Sequence, residues 1–480
     1  MSAMPTLPRP LRAWRPGRAT VLGGVVAAVL AAVPVAVLPV PAAPAPAGFV
    51  PGSPGVGDRL LPAAGNGGYD VGHYDLTLAY DPATRHLDGR AAITATATVG
   101  LSRFDLDLRG FDVAGVSVDG RIARWRRDGQ ELVVTPAAGL PAGHVFTTVV
   151  RYAGTPEVIT DPDGSVEGWV STVDGAFVVG QPQGSPGWYP ANDTPGDKAT
   201  FDFRVTVPAG TTVVANGVLA GAATAAGRTT FTWRERDPMA PYLATATLGR
   251  FDLTRSRLAD GTPVYLAVDP AVPDTGVLAR VPAMLDFYAA AFGPYPFSAA
   301  GAVVDDAPGV GYSLEAQTHP VFDRMPDEET LAHELAHTWF GDSVTPTRWP
   351  DIWLSEGFAT WAQWLWSERA GGPSAHTRFA TLYRVPAGDA FWGLPPADPG
   401  TAAHLFDDAV YDRGAMTLQA LREKVGEQTF RAILRAWVSS HRHGGADTAA
   451  FVALAERVSG RDLGTFFDVW LYRPARPVDW

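Results

Sequence analysis

The 480 residues suffice for two or three domains, and a hydrophobic content of 46% allows a large core, which excludes a disordered chain. There is no cysteine, so a disulfide framework, a thiolate metal site and a cysteine nucleophile are excluded. A net charge of −12 argues against nucleic acid or an anionic membrane surface as a partner.

Residues 1–47 read as a signal peptide. Arg9, Arg12, Arg15 and Arg18 form a basic start, Val21 to Val40 is an uncharged apolar run, and Pro41 to Ala47 offer small-residue cleavage sites. An uncleaved membrane anchor is the competing reading, because about twenty apolar residues can span a bilayer. Pro34, Pro39 and the small-residue tail favour cleavage, hence an extracellular protein without stable membrane contact. Loss of the four arginines takes the net charge from −12 to −16. That charge suits a positively charged substrate amine, and equally suits plain solubility.

Residues 48–68 are rich in proline and glycine and read as a flexible leader. Residues 69–252 carry short alternating segments, among them His73 to Tyr80, Arg90 to Val99 and Ser102 to Leu108. Turn signals separate them at Asp81-Pro82, Asp119-Gly120 and Asn216-Gly217. This predicts an all-β domain, a sandwich or saddle of antiparallel sheets. Residues 253–480 turn mixed and then helical. Val277, Leu278, Val281, Leu285 and Tyr288 have helical spacing, and Pro282 either kinks that helix or marks a later start. Gly414 to Val425, Glu427 to His441, Asp447 to Val458 and Leu463 to Leu471 read as four further helices. The expected fold class is multidomain α+β, a β-domain followed by a mainly helical domain.

The stretch His333-Glu334-Leu335-Ala336-His337 holds the chemistry. In a helix, residues four apart share a face, so both imidazoles reach one metal ion, and the spacing suits zinc. Glu334 is not needed as a ligand and would lie beside the metal, where it can take a proton from water. Pro326 and the acidic Asp327-Glu328-Glu329 predict the helix start, and Gly341 its stop. Two surface histidines on an exposed helix are the plainer alternative. The apolar Leu335, Ala336, Trp339 and Phe340 argue instead for burial, where unpaired histidines are costly. Catalytic zinc usually takes three protein ligands. Glu356, in Trp353-Leu354-Ser355-Glu356-Gly357-Phe358-Ala359, follows His337 after eighteen residues and is the candidate third.

With that Glu in place the chain resembles the aminopeptidase N family of gluzincin metallopeptidases, which also contains the leukotriene epoxide hydrolase. The family signature is H-E-x-x-H, eighteen residues, then Glu in W-L-N/S-E-G-F-A. Trp188 to Ala199, Val214 to Gly217, Pro238 to Leu243 and Phe292 to Phe297 resemble family stretches too, so the likeness covers roughly residues 70–480. It implies a thermolysin-like catalytic domain at 253–480, one zinc ion on His333, His337 and Glu356, and a peptide substrate. The chain stops soon after its last helix, so the expectation is a short form without the separate C-terminal helical domain of larger members. Val410-Tyr411-Asp412-Arg413-Gly414-Ala415 matches the family's V-Y-E-K-G-A, which makes Tyr411 the implied oxyanion donor. The family's G-A-M-E-N stretch, on an edge strand, holds a Glu that binds the substrate amine. Aligned on that Glu, the present sequence reads Tyr312-Ser313-Leu314-Glu315-Ala316 and keeps only Glu315. A second amine contact, a Gln from the β-domain, corresponds to Gln181, with Gln183 as the alternative. His441 and His443 receive no role. The expected function is a secreted zinc aminopeptidase. A zinc endopeptidase with relaxed amine recognition, an inactive peptide-binding module, and by analogy an epoxide hydrolase are the alternatives.

Overall fold

Apolar side chains alternate inward along Tyr69–Asp81, where Tyr69, Val71, Tyr74, Leu76, Leu78 and Tyr80 are buried. The count slips once, at a bulge between Val71 and His73 that Gly72 accommodates. In this computed structural model, which describes residues 48–478 and 480, that strand lies within an eight-stranded sheet. The signal-peptide reading of residues 1–47 lies outside the described residues. The strand order is 218–225, 228–239, 199–208, 69–81, 86–97, 145–154, 112–118 and 121–122. Neighbours are antiparallel except Tyr69–Asp81 with Ala199–Pro208, which run parallel. A five-stranded sheet runs 158–160, 166–171, 176–179, 246–249 and 212–215. Aromatic rings join the two sheets, with Tyr80 lying edge-on to Trp169 at 5.0 Å. Asn216-Gly217 is not a hairpin turn. It passes the chain from the five-stranded sheet to the eight-stranded one, with Gly217 at φ +83°. The alternation expected over Ser102 to Leu108 yields a strand only at Leu101–Arg103, followed by single bridges at Phe104 and Asp107.

The leader expectation needs correction, because residues 48–68 are packed. Val50–Pro51 pairs in parallel with Leu101–Arg103, and Leu60, Leu61 and Ala64 are buried. The Asp58 carboxylate accepts from the backbone N–H of Leu60 and from that of Trp349, each at 2.8 Å. Glycine and proline content signals flexibility only where nothing holds the chain. Here three apolar side chains and one aspartate find distant partners.

The chain changes sheets between Gly249 and Asp252. A second five-stranded sheet follows, in the order 252–257, 263–268, 300–304, 321–322 and 313–314, so Ser313–Leu314 forms an edge. The helices are α1 (Val281–Phe292), α2 (Glu328–Ala336), α3 (Trp353–Arg369), α4 (Ala375–Leu382), α5 (Gly414–Val425), α6 (Glu427–His441), α7 (Thr448–Ser459) and α8 (Gly464–Phe467). Pro282 sits in the first turn of α1, so it marks a start and not a kink. The Tyr288 hydroxyl of α1 reaches the carbonyls of Ala332 in α2 (3.0 Å) and Ala362 in α3 (3.1 Å), tying three helices together. No helix among the described residues is long and apolar enough to cross a membrane.

Candidate metal centre and substrate cleft

Asp327 opens α2 by accepting from the Thr330 N–H at 2.7 Å, with Glu328 and Glu329 in the first turn. Regular helix ends at Ala336, earlier than the glycine stop predicts. From His337 the chain makes a looser turn, in which the N–H groups of Asp342 and Ser343 reach back to the carbonyls of His337 (3.0 Å) and Thr338 (3.3 Å). Gly341, at φ +120°, lies inside that turn and does not end the helix itself. A Cβ on Gly341 would fall 2.3 Å from Ser355 Oγ and 3.0 Å from His337 Nδ1.

α3 packs beside α2 and brings Glu356 to the two histidines. One carboxylate oxygen, Glu356 Oε2, lies 3.3 Å from His333 Nε2 and 3.5 Å from His337 Nε2. Tetrahedral donors about 2.0–2.1 Å from one centre lie about 3.3–3.4 Å apart, so this trio has the spacing of a zinc donor set. The charges agree. Burial would raise Glu356, but His337 and His333 bring it down to about 2. Burial pulls His333 below the ordinary imidazole value, which suits a neutral ligand. Burial pulls His337 the same way, yet the carboxylates of Glu315, Glu356 and Glu334 outweigh it and hold it well above that value. Three carboxylates around one imidazole leave negative charge that a divalent cation neutralises. The residues present therefore fit the metal that their spacing implies.

The His337 imidazole is oriented from behind. His337 Nδ1 donates to the Phe340 carbonyl at 2.9 Å and lies 3.0 Å from Ser355 Oγ, which turns Nε2 toward Glu356. Gln363 lines the same cleft as His333. Its Nε2 donates to Glu329 at 3.1 Å, and Glu329 pairs with Arg378. From sequence, Ser355 and Gln363 carry no role, and Phe340 reads only as an apolar signal of burial. The signals were a hydroxyl next to the ligand Glu356 and a glutamine two turns further along the same helix.

The trio opens on a cleft of about 280 Å³ between the β-domain and the helical domain. Glu334, Tyr411, Glu315 and Gln181 also line it, so all seven predicted site residues meet in one place. One oxygen each of Glu315 and Glu334 lies within 4.8 Å of the other and of a His337 nitrogen. Gln181 Nε2 donates to Glu315 at 2.8 Å, across 134 residues of sequence, with both residues buried. Glu315 directly follows the edge strand Ser313–Leu314. Gln183 faces elsewhere: its Nε2 donates to Asp161 at 3.0 Å and its N–H to the Glu167 carboxylate. The Tyr411 ring stacks on His333, with centroids 5.9 Å apart.

Tyr411 sits in a single wide turn, Ala409–Arg413, ahead of α5. Arg413 holds that turn. Its buried guanidinium donates to the carbonyls of Trp392, Leu394, Val469, Trp470 and Arg473, using all its donor capacity. Burial pushes it down to about 10, so it stays charged at neutral pH. The helices α3 and α5 cross where Gly357 faces Gly414. A Cβ on Gly357 would lie 2.8 Å from the Gly414 Cα.

Known proteins resemble this chain in sequence and in fold. The sequence pattern described as "Peptidase M1 N-terminal domain" matches residues 71–243, and that described as "Peptidase family M1 domain" matches 314–470. The M1 zinc metallopeptidase from Deinococcus radiodurans superimposes with a TM-score of 0.80 at 31% identity, covering 88% of this chain and 99% of that one. A variant of it bound to a Tyr-Ser-Ala substrate superimposes with the same TM-score at 32% identity, covering 89% and 99%. Among curated relatives, Aminopeptidase M1 of Arabidopsis thaliana is 27% identical over 315 residues, 60% of this chain. The chain spans 36% of the length of that relative.

Proposed function

This chain belongs to peptidase family M1, and from that premise we propose that it is a secreted zinc aminopeptidase that removes N-terminal residues from peptides. The observation that carries the reading is the Gln181–Glu315 contact of 2.8 Å in the cleft that holds the metal donors. A carboxylate and an amide oxygen together suit a substrate ammonium, the first by charge and the second as a further acceptor. Held there, the peptide presents only its first bond to the reacting groups, which limits cleavage to the end.

His333, His337 and Glu356 would hold zinc, which when bound would serve as a Lewis acid toward the scissile carbonyl and would acidify water. The remaining work falls to side chains. Glu334, one residue along the helix from the ligand His333, takes the proton of the attacking water and passes one to the leaving amine. The Tyr411 hydroxyl donates to the oxygen that becomes negative, and its stacking on His333 keeps it near the reacting carbonyl. Secretion is inferred from the basic, apolar and small-residue order of residues 1–47.

The test is turnover of a matched peptide pair, one with a free N-terminus and one acetylated, with and without a zinc chelator. The expected result is chelator-sensitive release of single residues from the free peptide alone. Cleavage of both peptides would make the protein an endopeptidase and remove the amine role from Glu315. The replaced residues Tyr312, Ser313 and Leu314 make that outcome worth testing. Cleavage of neither would leave a binding role.

A further inference from the structure

One charged residue of the Trp188–Ala199 stretch has no part in the chemistry above, yet it reaches the metal helix. Lys198 belongs to the β-domain. Its Nζ donates to the carbonyl oxygens of Asp342 at 2.7 Å and Ser343 at 3.2 Å. Those two residues form the turn after His337, and their own N–H groups bond back to the carbonyls of His337 and Thr338. The amine therefore grips the turn that follows α2, six and seven residues beyond Ala336, at a position where burial lowers its pKa to about 7. Thr345 Oγ1 donates to the same Asp342 carbonyl at 3.0 Å.

The lysine is held from behind. Asp197 accepts from the Val71 N–H at 3.0 Å and from the Asn192 side chain. Gly196 lies so near the helical domain that a Cβ would sit 3.1 Å from the Thr347 carbonyl oxygen. On its other side the turn abuts Ser355 and the His337 ring, as the close approach at Gly341 demands. A shift of residues 341–343 would thus be passed to His337 Nδ1 and to the Phe340 carbonyl that orients it.

We propose that Lys198 is a positioning residue that, by binding the carbonyls of Asp342 and Ser343 from across the domain boundary, sets the orientation of His337 in the metal donor set. The inference rests on the zinc reading given above. It differs from simple domain adhesion in what it spares. The β-domain also carries Gln181, so a loosened domain would pull Gln181 away from Glu315 and raise KM. Loss of the lysine bonds at the turn acts on His337 and leaves the amine contact in place.

The experiment uses the full chain and its Lys198→Met and Lys198→Arg variants. Zinc release into a chromogenic chelator is followed directly, beside kcat and KM on a free-amine peptide. Lys198→Met is expected to release zinc about tenfold faster or more, as for other residues that orient metal ligands, with kcat lowered and KM within about twofold. Lys198→Arg, which keeps a cationic donor, is expected to recover most of the loss. If Lys198→Met fails to fold, Thr345→Val removes the other side-chain donor to the Asp342 carbonyl and is expected to speed zinc release to a lesser degree. Unchanged zinc release in the variant that folds, or a raised KM with unchanged release, overturns the proposal. A parent protein that binds no zinc would instead refute the reading beneath it.

Discussion

The crossing of α3 and α5 is the sharpest place to test how the site is held. Gly357 follows the ligand Glu356, and Gly414 follows the turn that carries Tyr411. In Gly357→Ala the new Cβ would meet Gly414 Cα at 2.8 Å and Gly414 C at 2.9 Å, both backbone atoms. Ordinary contact begins at 3.4 Å, so the helices must part by about 0.6 Å. Alanine in place of glycine within a helix gains about 0.5–1 kcal/mol, whereas overpacking of this kind costs about 1–3 kcal/mol. The net expectation is a loss of about 0–2.5 kcal/mol in stability. The larger effect falls on turnover, because the shift moves Glu356 relative to Tyr411. A displacement approaching 1 Å typically costs on the order of 100-fold in rate. The assay is kcat/KM on a free-amine peptide, beside Tm and bound zinc. Because both glycines abut the same crossing, Gly414→Ala is expected to reproduce the defect, with a Cβ 2.9 Å from Gly357 Cα. Parental kcat/KM and Tm in Gly357→Ala would refute the reasoning, since they would mean that the crossing yields freely.

Glu334→Ala is expected to retain zinc and lose on the order of 100- to 10,000-fold in kcat, and substantial residual turnover would remove its role as base. Tyr411→Phe is expected to lower kcat by roughly 100- to 1,000-fold with little change in KM, and an effect confined to KM would refute the oxyanion assignment. His319, fully buried between Trp233 and Tyr265, offers a pH prediction. Burial drives it from an ordinary 6.5 down to about 3. Below about pH 6.5 the unfolded chain takes up a proton that the native state refuses until about pH 3. Stability therefore falls as the pH drops through that window, at up to roughly 1.4 kcal/mol per pH unit from this group. His319→Gln is expected to flatten that slope in denaturant titrations at pH 6 and pH 4, and equal slopes would exclude the effect.

The metal ligands were legible because helical spacing puts His333 and His337 on one face, and Glu356 lies in a stretch that resembles a family signature. The β-domain was legible because alternation survives in long paired strands such as Tyr69–Asp81. Contacts between distant segments were not. Nothing local in residues 48–68 announces that Asp58 will meet Trp349, so composition suggested flexibility where there is packing. The choice between Gln181 and Gln183 needed the loop geometry, in which one glutamine faces Glu315 and the other Asp161. Arg413 was legible from sequence only as the residue that stands where the resembled V-Y-E-K-G-A stretch has lysine. What matters is that it offers five donors to five carbonyls at once, a demand set by the loops around it. The end of α2 was misplaced because Gly341 lies within a looser turn, running on through Ser343, that the two-domain contact at Lys198 helps to hold.

The three metal donors lie on neighbouring helices of one domain, whereas the Gln181–Glu315 pair straddles two. The metal donors and the Gln181–Glu315 pair are thus built by different sets of elements. On the reading proposed here, a graft of a different β-domain that kept the lysine at position 198 would leave the metal donors in place and change only the partner that Glu315 meets across the cleft. Lineages that exchange or retune the front domain would then change which termini are trimmed without rebuilding the centre that does the trimming.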